Sequence, residues 1–173
     1  PGLAGLHEPC NRRAEGEGVT KLNKTDLGIL RALQKDASQS NDAIGQQVSR
    51  DGSVVSRRVA ELTKAKVITG IHAALDPTKL GLVTTVYTLV SLKAHGLDLT
   101  NAFEDEIKAM PNVVEWSRIN GSWDYLLKFQ VKDTPTHDRL HNRLLSLPMV
   151  SRLRGMHVID QPFVKPLPLD DTP

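Results

Sequence analysis

The 173 residues include one cysteine, Cys10. A single thiol forms no internal disulfide and builds no cysteine-based zinc site. Cys10 lies in a polar stretch, where a free exposed thiol is expected rather than a catalytic one. Long hydrophobic runs are also missing. Nothing approaches the roughly 20 apolar residues of a membrane helix, and the first residues lack the apolar core of a secretion signal. A cytoplasmic location is therefore expected. A strong excess of one charge is absent too. The formal net charge is +2, so the whole molecule is no polycation, and a nucleic-acid site has to come from local clustering. No nucleophile–base pair and no glycine-rich phosphate loop stand out. Neither an enzyme nor a cofactor is expected.

The chain is 39% hydrophobic and 24% charged, ordinary for a folded globular protein, and long enough for one or two domains. Residues 1–21 are rich in Gly, Pro and charge without periodicity and read as a disordered leader. The Arg12–Arg13 pair there is read as part of a solvated tail.

Residues 22–66 carry helical periodicity. Asn23 followed by Asp26 resembles a capping arrangement, and Leu22, Ile29, Leu30 and Leu33 form the buried stripe of a first helix. A second, short helix starts after Ser40, with Ile44 and Val48 inward. Gly45 inside it costs about 1 kcal/mol against alanine, which a close helix crossing would justify. Ser49-Arg50 is a tight turn, and Asp51 is placed to cap a third helix. In that helix Val55, Val59 and Leu62 recur on one narrow stripe. Its other faces hold small or hydrogen-bonding residues, Ser53, Val54, Ser56 and Arg57. Small side chains let a backbone approach base edges, and Arg can bond guanine with two donors. Residues 50–66 hold five basic side chains (Arg50, Arg57, Arg58, Lys64, Lys66) against two acidic ones (Asp51, Glu61), a concentration suited to phosphate contact. Three helices so joined predict a helix-turn-helix unit with the third as reader.

Residues 67–82 are expected to be a linker. Val67, Thr69, Ile71, Ala73 and Leu75 alternate, which predicts a strand closed by Asp76-Pro77. Residues 83–160 change rhythm: strand 84–93, helix 99–110, strand 113–120, an Asn120-Gly121 hairpin signal, strand 124–131, helix 134–147 and a last strand from Val150 to about Asp160. The order βαββαβ is the ferredoxin-like split unit, and the fold class is α+β. Phe103, Ile107, Met110, Leu140, Leu144 and Leu147 are its expected inward residues. In the first of these strands Val86, Thr88, Val90 and Leu92 share one face and Tyr87 and Leu89 the other. Apolar residues on both faces predict that a second sheet covers the open side, hence a dimer. Residues 161–173, with four prolines, are expected to form a tail.

Several pieces together resemble the Lrp/AsnC ("feast/famine") transcriptional regulators, over about Leu22 to Leu169. They are Leu22-Asn23 with Asp26 and Ile29-Leu30; Val55-x-x-Arg58-Val59-x-x-Leu62; Val67-Ile68 with Gly70 and Leu75-Asp76-Pro77; Gly121-Ser122-Trp123-Asp124-Tyr125-Leu126-Leu127; and Leu147-Pro148-x-Val150. Their order and spacing carry the likeness. Asp51 stands where the family usually has Ser, and a carboxylate near phosphates is repulsive, so it is assigned no DNA contact. Gly52 opens the third helix. Lys66 replaces the usual glycine of a left-handed cap. The resemblance implies a winged-helix-like DNA-binding domain, a C-terminal effector-binding and pairing domain of the type called RAM, and dimers that can assemble further into octamers.

On this reading Ser53, Val54, Ser56 and Arg57 face the groove, and Arg50, Lys64 and Asn41 face phosphates of double-stranded operator DNA. Arg58 flanks the apolar stripe and could as well pair with an acid inside the domain. The effector implied by the resemblance is a small molecule, typically an amino acid. Its leading site is Asn120, Gly121, Ser122, Trp123 and Asp124. Turn N–H groups can hold a carboxylate, Asp124 an α-amino group, and Trp123 an apolar side chain; a plain hairpin in which Asp124 bonds its own turn is the competing reading. His72, His137, His141 and His157 invite a metal reading, but His137 and His141 have no evident third ligand and Asp138 does not share their face, so no metal is expected. The alternatives are an architectural DNA-binding protein of low specificity and, from another class, siroheme decarboxylases, which resemble the same two-domain arrangement.

Overall fold

The computed structural model describes residues 20–160 and 166–169. The leader, with Cys10 and the Arg12–Arg13 pair, and most of the tail lie outside the described residues. The chain divides between Ala73 and Ala74, and residues 166–169 fall with the first unit.

The first unit holds three helices, α1 (Lys24–Lys35), α2 (Asn41–Val48) and α3 (Gly52–Lys64). Asn23 and Asp26 form a reciprocal capping box, each side chain accepting the other's backbone N–H. Ser40 caps α2 by accepting from Ala43 N–H at 3.2 Å. Ile29, Ala32, Ile44 and Val55 make the core, with Leu33, Val48 and Val59 packed against it. Leu27 is buried as well. Asp51 departs from expectation: it holds the cap position with extended backbone, but its side chain makes no cap bond. The α3 N-terminus instead presses on α2, so close that a side chain at Gly52 would meet the Asp42 carboxylate.

The linker is a second departure. No strand forms between Lys64 and Thr84. Alternation makes an extended segment possible, but a strand needs a paired ladder, and residues 69–76 join none of the sheet ladders among the described residues. Asp76 instead accepts from Thr78 N–H and Oγ1, nucleating the short turn Thr78–Leu80.

The second unit is a four-stranded antiparallel sheet, β1 (Thr84–Leu92), β2 (Val113–Arg118), β3 (Tyr125–Val131) and β4 (Val150–His157), in the order β2-β3-β1-β4. Helices α4 (Leu97–Lys108) and α5 (Thr134–Leu145) lie in the crossovers. Val86, Val90, Leu92, Tyr125, Leu127 and Phe129 bury one sheet face against Phe103, Ile107 and Leu144 of the helices. The β1 register sets Tyr87 between Lys128 and Met156, and Leu89 between Leu126 and Arg154, on the opposite face. Tyr87, Leu89 and Leu126 are half-buried there, and Met156 is 40% exposed.

Candidate DNA interface and effector loop

The third helix is held by one ion pair. Arg58 reaches across to α1 and donates from Nε and Nη2 to the two oxygens of Asp26, at 2.8 and 2.6 Å. Asp26 is fully buried. Burial pushes its carboxyl up, but the Arg58 hydrogen bonds and charge and the Asn23 N–H outweigh this and hold it below the usual value. Arg58 also bonds Glu61. It is therefore the internal partner that its position flanking the stripe allowed, and it is not available to DNA.

The face of α3 away from Val55 and Leu62 is open. Ser53, Ser56, Arg57, Ala60 and Lys64 are exposed and Val54 is half-buried. The Arg57 side chain is 71% exposed and only 3.8 Å from Glu61, a loose i,i+4 pair that DNA can displace. Arg50 is exposed in the turn, where its Nη1 donates to Ser49 carbonyl at 3.0 Å. The turn is shaped by Ser49, which adopts a left-handed φ of 53°, and by Gly45, where a Cβ would sit 2.4 Å from the Arg50 carbonyl. The crossing that Gly45 permits is thus a backbone contact. Arg50 and Val54 line a shallow concavity between α2 and α3 together with Gln46, Ser49, Gly45 and Asp51. Gln46 and Ser49 were not singled out from sequence; their place at the mouth of the turn was the available signal. Asn41 is exposed at the start of α2 and Lys64 at the end of α3, both outside that concavity.

The β2–β3 connection spans residues 119–124, six residues rather than a two-residue Asn-Gly turn. Gly121 takes a φ of 111°, open only to glycine at no cost. Asn120, Gly121 and Ser122 are exposed. The Asp124 carbonyl closes the turn by accepting from Ile119 N–H at 2.9 Å, but its side chain bonds outside the turn. Its Oδ2 accepts from Leu92 N–H at 2.7 Å, just where the β1–β4 register shifts, and His95 Nδ1 lies 3.4 Å from its Oδ1. Arg152 of β4, missed from sequence, donates to the Ser122 carbonyl at 2.8 Å and stacks over the Trp123 ring at 4.4 Å. The loop is thus clamped from β4 and β1, its tip alone presented outward.

The two domains find their counterparts in known proteins. Residues 85–167 match the Lrp/AsnC ligand binding domain, and residues 22–69 match a winged helix-turn-helix DNA-binding domain. The glutamate uptake regulatory protein of Zymomonas mobilis is 32% identical over 87% of this chain and 93% of its own. The chain belongs to the Lrp/AsnC family. The Bkd operon transcriptional regulator of Pseudomonas aeruginosa is 30% identical over 87% of this chain and 99% of its own. An AsnC family regulator from Agrobacterium tumefaciens superposes with a TM-score of 0.79 at 26% identity, over 85% of this chain and 97% of that one. A Neisseria meningitidis regulator in complex with L-Met gives 0.78 at 25%, over 83% and 94%. The chain is accordingly an Lrp/AsnC-type DNA-binding transcriptional regulator with a ligand-binding domain, and its named relatives are regulators. No helix among the described residues is long and apolar enough to cross a membrane.

Proposed function

We propose that this Lrp/AsnC protein is a sequence-specific regulator that reads operator DNA with α3 and is modulated by a small effector, an amino acid. The carrying observation is the outward face of α3, where small side chains flank one displaceable arginine. Ser53, Val54, Ser56 and Arg57 approach the bases; Arg50, Lys64 and Asn41 hold phosphates; Gln46 and Ser49 join them at the turn. The effector reading is supported by the L-Met complex of the Neisseria regulator and by the outward tip Asn120–Ser122. Trp123 and Asp124 act here through the clamp more than by direct contact. The apolar face around Tyr87 and Leu89 supports pairing of two copies through their sheets, with octamers as the further assembly. The protein acts as a binding protein rather than an enzyme, in the cytoplasm where bacterial-type regulators meet their DNA.

The test is a titration against DNA flanking the protein's own gene and against scrambled DNA, at two salt concentrations, with and without an amino-acid pool. Tight binding to the first alone, falling with salt and shifting with one amino acid, is expected. Trp123 emission reports the effector directly, with Trp123→Phe as control. Equal affinity for both DNAs would replace specificity by an architectural role. No response to any amino acid would remove the effector reading.

A further inference from the structure

The C-terminal domain contains a polar group that neither the DNA face nor the effector loop uses. His137 of α5 is 5% exposed. Its ring lies 5.8 Å from that of His141, one turn along, and 5.2 Å from that of His157 on β4. Phe129 of β3 meets it edge-on at 6.1 Å. His157, named with these two from the sequence, is thus brought beside them by β4, although among the described residues no three such side chains converge on a metal position.

Four buried side-chain atoms among the described residues lack a hydrogen-bond partner: both ring nitrogens of His137, Nδ1 of His141 and Oγ1 of Thr88. They share one layer. Thr88 pairs with Gly155 in register, and a side chain at Gly155 would sit 3.5 Å from His137 Cε1. Buried polar atoms are almost always satisfied, and orphans call for a reason.

The surroundings make charge unwelcome on His137. Its own helix faces it with His141 and with Asp138, whose Oδ1 is 3.6 Å from Nδ1 and whose side chain is 66% exposed. From β4 comes His157. From β3 and β1 come Phe129, Val86 and Thr88, all uncharged. Burial holds the His137 imidazole below its ordinary value, the two neighbouring imidazoles push the same way, and Asp138 opposes them.

We propose that His137, His141 and His157 form a proton-binding site that latches α5 onto β4, closed when neutral and loosened when protonated. A histidine whose value is depressed by folding stabilises the folded arrangement fully above about 6.5. That contribution drains away as pH falls below 6.5 toward the lowered folded value. The latch sits on the strand that also carries Arg152, the clamp on Ser122 and Trp123. If the effector reading holds, protons and effector act on one element, but the latch stands without it.

The experiment is hydrogen exchange of the full chain from pH 8 to 5, corrected for intrinsic rates. The opening constant of α5 amides is expected to rise as pH falls below about 6.5, by at most ten-fold per pH unit for one proton, with α3 amides flat. His137→Leu is expected to abolish the slope. Should that variant not fold, His157→Gln is expected to reduce it, and an imidazole resonance titrating below 6.5 is expected in the unaltered protein. Flat α5 exchange, or an unchanged slope in either variant, would overturn the proposal. So would a chelator that shifts the transition, because the cluster would then be holding a metal ion.

Discussion

Arg57 and Arg58 are neighbours in the chain, but a helix turns them about 100° apart, and their surroundings diverge accordingly. Arg58 meets Asp26 in the interior; Arg57 meets only an exposed Glu61. Arg57→Ala is expected to cost about 1–3 kcal/mol at a cognate site and little on scrambled DNA, read by parallel titrations. A uniform loss would make it a phosphate contact. Asp26→Asn leaves Arg58 without its partner and is expected to cost about 3 kcal/mol of folding stability, measured by denaturant unfolding. Because folding lowers the Asp26 value from 3.8, its contribution is complete above pH 3.8 and is lost as pH falls through the folded value. Acid unfolding of the unaltered protein is thus expected to be steeper than that of the Asn variant. Lys66 takes a left-handed φ of 54°, with the Val67 N–H on the Leu62 carbonyl and its own on Thr63, the bonding of a glycine-ended helix. Lys66→Gly is expected to add about 1 kcal/mol and raise the melting temperature by a few degrees.

At the scale of elements, helices announced themselves because their signals are local. The Asn23–Asp26 box, the Ser40 cap and the Ile44–Val48 spacing lie within one or two turns, and the residues that read them are the residues that satisfy them. The βαββαβ order was legible for the same reason, from period changes along the chain. What failed depended on partners distant in sequence. Residues 67–75 alternate like a strand but join no ladder among the described residues. Asp51 looks like a cap, yet the space beside it belongs to α2. Asp124 looks like a turn residue, yet its carboxylate serves Leu92, 32 positions away. Arg152 was invisible as a site residue, and the nearness of His157 to His137 was not legible, because β4 brings both in from the sheet edge. Gly45 shows the local and the distant agreeing. Gly45→Ala drives a methyl into the Arg50 carbonyl and is expected to cost about 1–3 kcal/mol and to weaken DNA binding beyond that loss, as measured on the folded fraction.

The molecule as a whole joins two units with separate cores, one polar in its outward surface and one with an apolar sheet face still open. Leu89 lies at the middle of that face. If the proposed pairing runs through it, Leu89→Glu is expected to give a monomer where the unaltered protein gives a dimer, read by light scattering, while the melting of α1–α3 is unchanged. An unaltered mass would place the pairing surface elsewhere. The first unit has a further property that follows from its glycines. At Gly45 the α2–turn–α3 contact is backbone against backbone, with no flexible side chain between to give way, and at Gly52 the helix start abuts the Asp42 carboxylate. Such a head is expected to meet DNA as a stiff die. When an operator's groove does not match its shape, it is the duplex that must twist or bend, at a cost set by base pairs the protein never touches. On the proposed reading, part of the selectivity is stored in the mechanics of the operator, and substitutions at its uncontacted steps are expected to change affinity as those beneath Arg57 do.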